Sequence, residues 1–197
     1  MSNDVPPQRY AKGEAKRHAI LTAALTLVAE RGYRNSTLQE IADAVGLSKA
    51  GVLHYFTSRE NLIAEVIRER DAQDAANFGA EADDMLGLLR MSMRHNENVP
   101  GLVELYSRLV VEAESHEHPA HSYVRDRYER TADSVVEAVR ARQAAGTLDP
   151  NLDPVVLARL MIALSDGLQL QWMYDRTIDM TEAFDLVLAL VQPASPR

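Results

Sequence analysis

Ser48, Lys49, Ala50 and Gly51, followed one turn later by His54, have the side chains needed to read the edge of a base pair. A lysine ammonium donates to guanine O6 and N7, a serine hydroxyl serves several acceptors, and an alanine methyl packs against that of thymine. Gly51 lets the backbone approach closely, and His54 is the next group along. Tyr55, together with Thr37 on the opposite flank, supplies hydroxyls suited to phosphate oxygens, and Arg59 adds a permanent cation. These groups act together only if a short helix holds them on one outward face.

The sequence around them provides that helix. Thr37 has an N-cap side chain and Glu40, three residues on, can reach back to its amide, a capping box that opens a helix at Leu38. That helix runs no further than Val45, because Gly46 marks a turn that tolerates positive φ. Ser48 then caps a second helix from Lys49. Leu38, Ile41, Ala42 and Val45 give the first helix a buried stripe, and Ala42 is small enough for Val52 to approach. The spacing is that of a helix-turn-helix, whose second helix enters the major groove. The same residues also suit two core helices joined by a glycine turn, since this geometry occurs in proteins that never meet DNA.

From Arg17 to Leu62 the sequence resembles the N-terminal domain of the TetR family of bacterial transcriptional repressors. The match rests on Arg17, Ile20, Leu21, Ala23, Ala24, Gly32, Tyr33, Thr37, Ile41, Ala42, Val45 to Ser48, Gly51, Tyr55, Phe56, Ser58, Glu60 and Leu62. Arg59 stands where the family usually has lysine, which preserves the charge, and Asn61 stands where an acidic or small residue is common. The resemblance implies an all-α protein with an N-terminal three-helix DNA-binding domain and a C-terminal ligand-binding and dimerisation domain, about nine helices in all. It also implies a fourth helix that acts as a lever between the two.

The chain of 197 residues suits one or two domains and can bury a substantial core. It contains no cysteine, which excludes disulfides and thiol chemistry. Neither a signal peptide nor a membrane-spanning run is recognisable, so a cytoplasmic location is expected. The net charge of −8 suits DNA poorly until it is divided: residues 1–70 hold ten Lys and Arg against eight Asp and Glu, whereas the remainder holds eleven against twenty-one. Counterion release depends on the field at the groove, so an acidic body behind a mildly basic head is compatible with DNA binding.

Taken in order, residues 1–8 are expected to be poorly ordered. Arg9, Lys12, Lys16 and Arg17 lead into helix 1, which ends at Gly32; they are either a phosphate-touching arm or a solvated helix start. Helix 4 begins at Arg59 and runs towards Phe78. Helix 5 is marked by Met85, Leu88, Leu89 and Ser92 and ends near Asn96, where Pro100-Gly101 breaks the pattern. Helix 6 follows through Leu102 to Ala113. Helix 7 carries Val124 to Ala138 and stops at Gly146. Helix 8 runs from Pro154 to about Asp175 and helix 9 from Thr181 to Val191. In helix 8, Leu157, Leu160, Met161, Leu164 and Leu168 are expected to face the core, with Val156, Ala163, Leu170 and Trp172 elsewhere. Helices 8 and 9 are apolar on more than one side, which suggests burial against a second subunit. In the family they form a four-helix dimer interface.

A ligand cavity is expected among Met85, Leu89, Met93, Leu102, Tyr106, Leu109, His121, Tyr128, Leu164, Leu168 and Trp172, since methionine and aromatic side chains make an adaptable lining. Any one of these residues also suits a plain helical core. Asp166, Gln169 and His95 are the polar groups placed to orient a ligand. The loop holding His116, Glu117, His118 and His121 has zinc-type donors but lacks the fixed i, i+4 geometry of a helical pair, so no metal is assigned. No cofactor motif, Gly-rich phosphate loop, nucleophile elbow or paired carboxylates point to an enzyme. The expectation is a ligand-responsive repressor, with residues 1–58 binding double-stranded operator DNA and residues 59–197 binding a small molecule and a second copy. The alternative is a helical small-molecule- or metal-binding protein without DNA recognition.

Overall fold

The computed structural model describes residues 7–193. The described residues form nine α-helices and no strand: α1 (Pro7–Arg31), α2 (Leu38–Ala44), α3 (Lys49–Tyr55), α4 (Arg59–Phe78), α5 (Met85–Asn96), α6 (Pro100–Glu112), α7 (His121–Ala144), α8 (Pro154–Tyr174) and α9 (Met180–Leu190). A 3-10 turn at Tyr33–Asn35, not anticipated from the sequence, follows α1. Of the stretch expected to be poorly ordered, residues 1–6 lie outside the described residues, while Pro7 and Gln8 already belong to α1. Pro100 likewise opens α6 instead of merely interrupting the chain. Proline has no amide hydrogen to lose in a first turn and its φ is already helical.

Two apolar cores organise the helices. The first joins Ile20, Leu21, Ala24 and Val28 of α1 to Ile41, Ala42, Val52 and Phe56, and then to Leu62, Val66 and Ile67 of α4. It continues past residue 58 into Leu102 and Leu105 of α6 and Tyr123 and Val124 of α7. The second is built from α5, α7, α8 and α9, with Leu86, Val135, Met161, Leu168, Trp172 and Phe184 at its centre. Two positions on α8 differ from expectation. Leu160 is half exposed, whereas Trp172 is buried. Trp172 follows Met161, Ser165 and Leu168 at helical spacing and so continues the inward stripe, while Leu160 falls at its edge.

The two ends of the molecule meet where α6 crosses α1. Gly101 lies so close to α1 that a Cβ built on it would stand 1.9 Å from the Val28 carbonyl oxygen. Gly32, at the end of α1, has φ +78° and turns the chain beneath this crossing. The absence of a Cβ at Gly101 therefore permits the close approach of α6 to α1. Gly101→Ala should cost roughly 3 kcal/mol, the upper end for overpacking, because the obstructing atom is backbone. That corresponds to a fall of about 6–12 °C in Tm for a chain of this size. Gly13→Ala, where a Cβ would meet nothing within 4 Å, should leave Tm unchanged or raise it. Calorimetry of the two variants provides the check.

Candidate functional site

The N-terminal motif is fixed by its own caps. Glu40 accepts from the Thr37 amide at 2.8 Å and the Thr37 hydroxyl accepts from the Glu40 amide at 3.2 Å. The backbone bond with Thr37 holds the Glu40 carboxyl below its usual range. At the other end of α2, Gly46 adopts φ +66° and the Leu47 and Gly46 amides donate to Ala42 and Asp43, a Schellman turn that closes the helix. Lys16 of α1 caps the same end, its Nζ donating to the Val45 carbonyl at 2.6 Å. The Ser48 hydroxyl accepts from the Gly51 amide at 3.1 Å, which starts α3. Ala42 and Val52 are fully buried against each other's helices.

This arrangement leaves Thr37, Ser48, Lys49, Ala50 and His54 exposed, with Gly51 and Tyr55 half buried. His54 and Tyr55 meet edge to face, with ring centroids 5.7 Å apart. Since the Ser48 oxygen already serves the helix cap, its hydroxyl hydrogen is what remains for an outside acceptor. Arg59 is held at the edge of this face: it donates to the Tyr33 hydroxyl at 2.8 Å and its guanidinium lies 4.8 Å from that ring's centroid. Of the basic run in α1, Lys16 and Arg17 are turned inward. Arg17 pairs with Glu65 of α4 at 2.6 Å and covers Phe56. Lys12 is exposed; the Arg9 side chain lies outside the described residues.

Between the two cores lies a cavity of about 210 Å³ bounded by α4, α5, α6, α7 and α8. Its charged lining consists of Arg70, Asp71 and Asp74 of α4, Arg127 of α7 and Asp166 of α8. Arg127 donates twice to Asp71, at 2.6 and 3.0 Å, and once to the Tyr106 hydroxyl at 3.0 Å. Burial works against the Arg127 charge, but Tyr106 and Asp71 outweigh it and it stays a cation. The Tyr106 hydroxyl donates to Asp166 at 3.3 Å and the Tyr128 hydroxyl donates to the other oxygen at 2.6 Å. Burial raises both phenols, which therefore remain donors. Arg70 donates to Asn96 at 2.6 Å and Asn96 to Gln169 at 3.2 Å. Burial also raises the carboxyls of Asp74 and Asp166 above the ordinary range, opposed by Arg70 for Asp74 and by Tyr128 and Arg127 for Asp166.

Of the residues expected to line a cavity, Met85, Leu89, Met93, Tyr106 and Tyr128 come together here, as do the polar Asp166 and Gln169. Leu102 and Leu109 pack in the first core, and Leu164, Leu168 and Trp172 in the second. Trp172 is covered by Arg176, 3.8 Å from its ring centroid. His95 packs on Phe78 at 5.5 Å. In the histidine loop, His118 accepts from the Ala120 amide, His121 contacts the Ala113 carbonyl at 2.8 Å, and the His116 and His121 rings lie 4.3 Å apart. The residues missed are the charged ones of α4, with Asn96 and Arg127. A signal was present: Arg70 and Asp74 continue, at helical spacing, the inward stripe of Ile63 and Ile67.

Known proteins share both the motif and the fold. Residues 20–66 match the model of the bacterial regulatory proteins of the tetR family. The transcriptional repressor KstR2 of Rhodococcus jostii is 39% identical over 64 residues, which span 32% of this chain and 31% of that repressor. KstR2 of Mycobacterium tuberculosis is 26% identical over 156 residues, 75% of this chain and 76% of that one. The crystal structure of the regulator FadR from Bacillus subtilis in complex with stearoyl-CoA superposes with a TM-score of 0.67 at 16% identity, covering 88% of this chain and 96% of FadR. The capped helix-turn-helix thus lies inside the residues similar to the tetR family of bacterial regulatory proteins, and the nine helices of the described residues share the fold of FadR.

Proposed function

We propose that this chain is a repressor that binds a near-palindromic operator as a homodimer in the cytoplasm and leaves it when a small molecule fills the cavity. One observation carries the reading. The single helix α4 runs from Arg59, beside the exposed face of α3, to Arg70, Asp71 and Asp74 in the cavity wall. At 1.5 Å per residue its 20 residues reach about 30 Å. Residues 1–58 act as the DNA-binding unit and residues 59–197 as the effector-binding and dimerising one. The names of the KstR2 relatives favour repression over activation. The effector releases DNA only if it binds the two states unequally.

Lys49, Ser48, Ala50, Gly51 and His54 face the bases; Thr37, Tyr55 and Arg59 hold phosphates. Lys49→Ala should weaken the preferred site by about 1–3 kcal/mol while barely affecting random DNA. Arg59→Ala should weaken both alike and lower the salt slope by about one. Gel shifts on fragments flanking the chain's own gene, repeated at several salt concentrations, test this. Equal losses for the two variants, or no retarded band with any fragment, would contradict the assignment.

The second copy packs on α8 and α9. Val156, Leu160, Ala163, Gly167, Leu170 and Tyr174 follow one another at alternating four- and three-residue steps along the outside of α8. Leu190 of α9 is 74% exposed and Tyr174 93%, an apolar face too large to leave in water. A Cβ on Gly167 would meet nothing within 4 Å in the protomer. Gly167→Leu should therefore preserve the helical fold by circular dichroism yet shift the sedimenting species towards monomer. A dimer of undiminished strength would remove α8 from the interface.

A further inference from the structure

The cavity's charges do not balance. Asp71 is satisfied by Arg127 through two hydrogen bonds, and Asp74 faces Arg70 with a closest approach of 3.8 Å. Both guanidinium groups are thereby matched. Asp166 forms no ion pair among the described residues; its two oxygens receive only the neutral hydroxyls of Tyr106 and Tyr128. A half-buried carboxylate with no ion pair of its own is costly: burial pushes this one above its ordinary range even though Tyr128, Arg127 and Tyr106 act against it. A second group is also short of a partner. Arg70 is only 6% exposed, and its Nε has no acceptor among the described residues. Met85, Leu88 and Leu89 of α5 add apolar side chains to the lining.

Resting on the effector reading above, we propose that the ligand of this cavity is a small organic monocation, whose ammonium group pairs with Asp166 between the Tyr106 and Tyr128 hydroxyls. Its short apolar chain lies along Met85, Leu88 and Leu89, and a neutral acceptor oxygen accepts from Arg70 Nε. An anionic ligand is disfavoured because each guanidinium already faces a carboxylate and the site as a whole carries one more acid than base. A cavity of about 210 Å³ leaves room for a short-chain amine beside these groups.

Four probes of one length separate the possibilities: 6-aminohexanamide, n-hexylamine, hexanamide and hexanoate, titrated calorimetrically against the full-length protein. The expected order is 6-aminohexanamide, then hexylamine, with one site per chain, while hexanamide and hexanoate bind at least tenfold more weakly. Asp166→Asn, confirmed as folded by its melting curve, should lose at least tenfold in affinity for both amines. Hexanoate or hexanamide binding as tightly as the amines, no binding by any probe, or a folded Asp166→Asn protein that keeps its amine affinity would each overturn the cation assignment. A gel shift at saturating 6-aminohexanamide tests the underlying reading separately. Binding that obeys Asp166 but leaves operator affinity unchanged supports the cation site and removes its role as the effector switch.

Discussion

The double hydrogen bond between Arg127 and Asp71 is the constraint on which the molecule's two halves depend. It joins α7 in the body to α4 beneath the head, with both groups half-buried in the cavity wall. A bidentate pair of this kind has a fixed geometry, since its two parallel N–H···O bonds specify how the two side chains meet. The C-terminal half of α4 is therefore tied to α7 by a directional contact. Arg70, bonded to Asn96 of α5, adds a second anchor one residue away.

At the other end, α4 is tied to the head by an ion pair and a shared core. Arg17 of α1 reaches Glu65, and Phe56 is covered by the same guanidinium. Leu62, Val66 and Ile67 share a core with the helix-turn-helix. The motif itself has little freedom: its first helix is capped at both ends and Lys16 closes the turn. The packing accordingly couples α4 to the helix-turn-helix through one shared core. The α1–α6 crossing at Gly101 provides a second route, since Val28 and Gly101 touch backbone to backbone and neither can yield alone.

The parts legible in the sequence are those decided by neighbours. The capping box at Thr37 and Glu40, the turn at Gly46, the Ser48 cap and the start of α8 behind Asp153 all depend on contacts within a few residues, and the structure has each of them. The polar cavity depends on partners far apart in the chain. Asp71 and Arg127 lie 56 residues apart, and in a helix as charged as α4 an arginine destined for burial looks like one destined for water. Apolar lining residues such as Met85 and Leu89 were accessible by periodicity, but so were Leu102 and Leu168, which the same periodicity sends into the cores. Periodicity identifies a buried face without saying whether a void stands before it. On α8, Leu160 and Trp172 exchange their expected places for a related reason: the edge of a stripe is settled by the neighbouring helix.

A hydrogen-bond chain responds to a ligand differently from an apolar pocket. From Asp71 on α4 the bonds pass through Arg127 on α7 and Tyr106 on α6 to Asp166 on α8, so four helices share one line of donors. If an Asp166 oxygen turns to a ligand, the Tyr106 proton needs another acceptor, and the Tyr128 hydroxyl stands 3.4 Å away. The rearrangement reaches Arg127, and through it α4. Its strength is nevertheless limited. One charge-assisted hydrogen bond contributes about 1.5–3 kcal/mol, whereas moving a two-state protein from 1:99 to 99:1 needs about 5.5 kcal/mol of unequal binding. The polar contact alone falls short, so the apolar wall of Met85, Leu88 and Leu89 must also fit the ligand better in one state. These residues belong to α5, which packs directly on α4 and α9, so the helix that completes the fit also touches the one that carries Asp71.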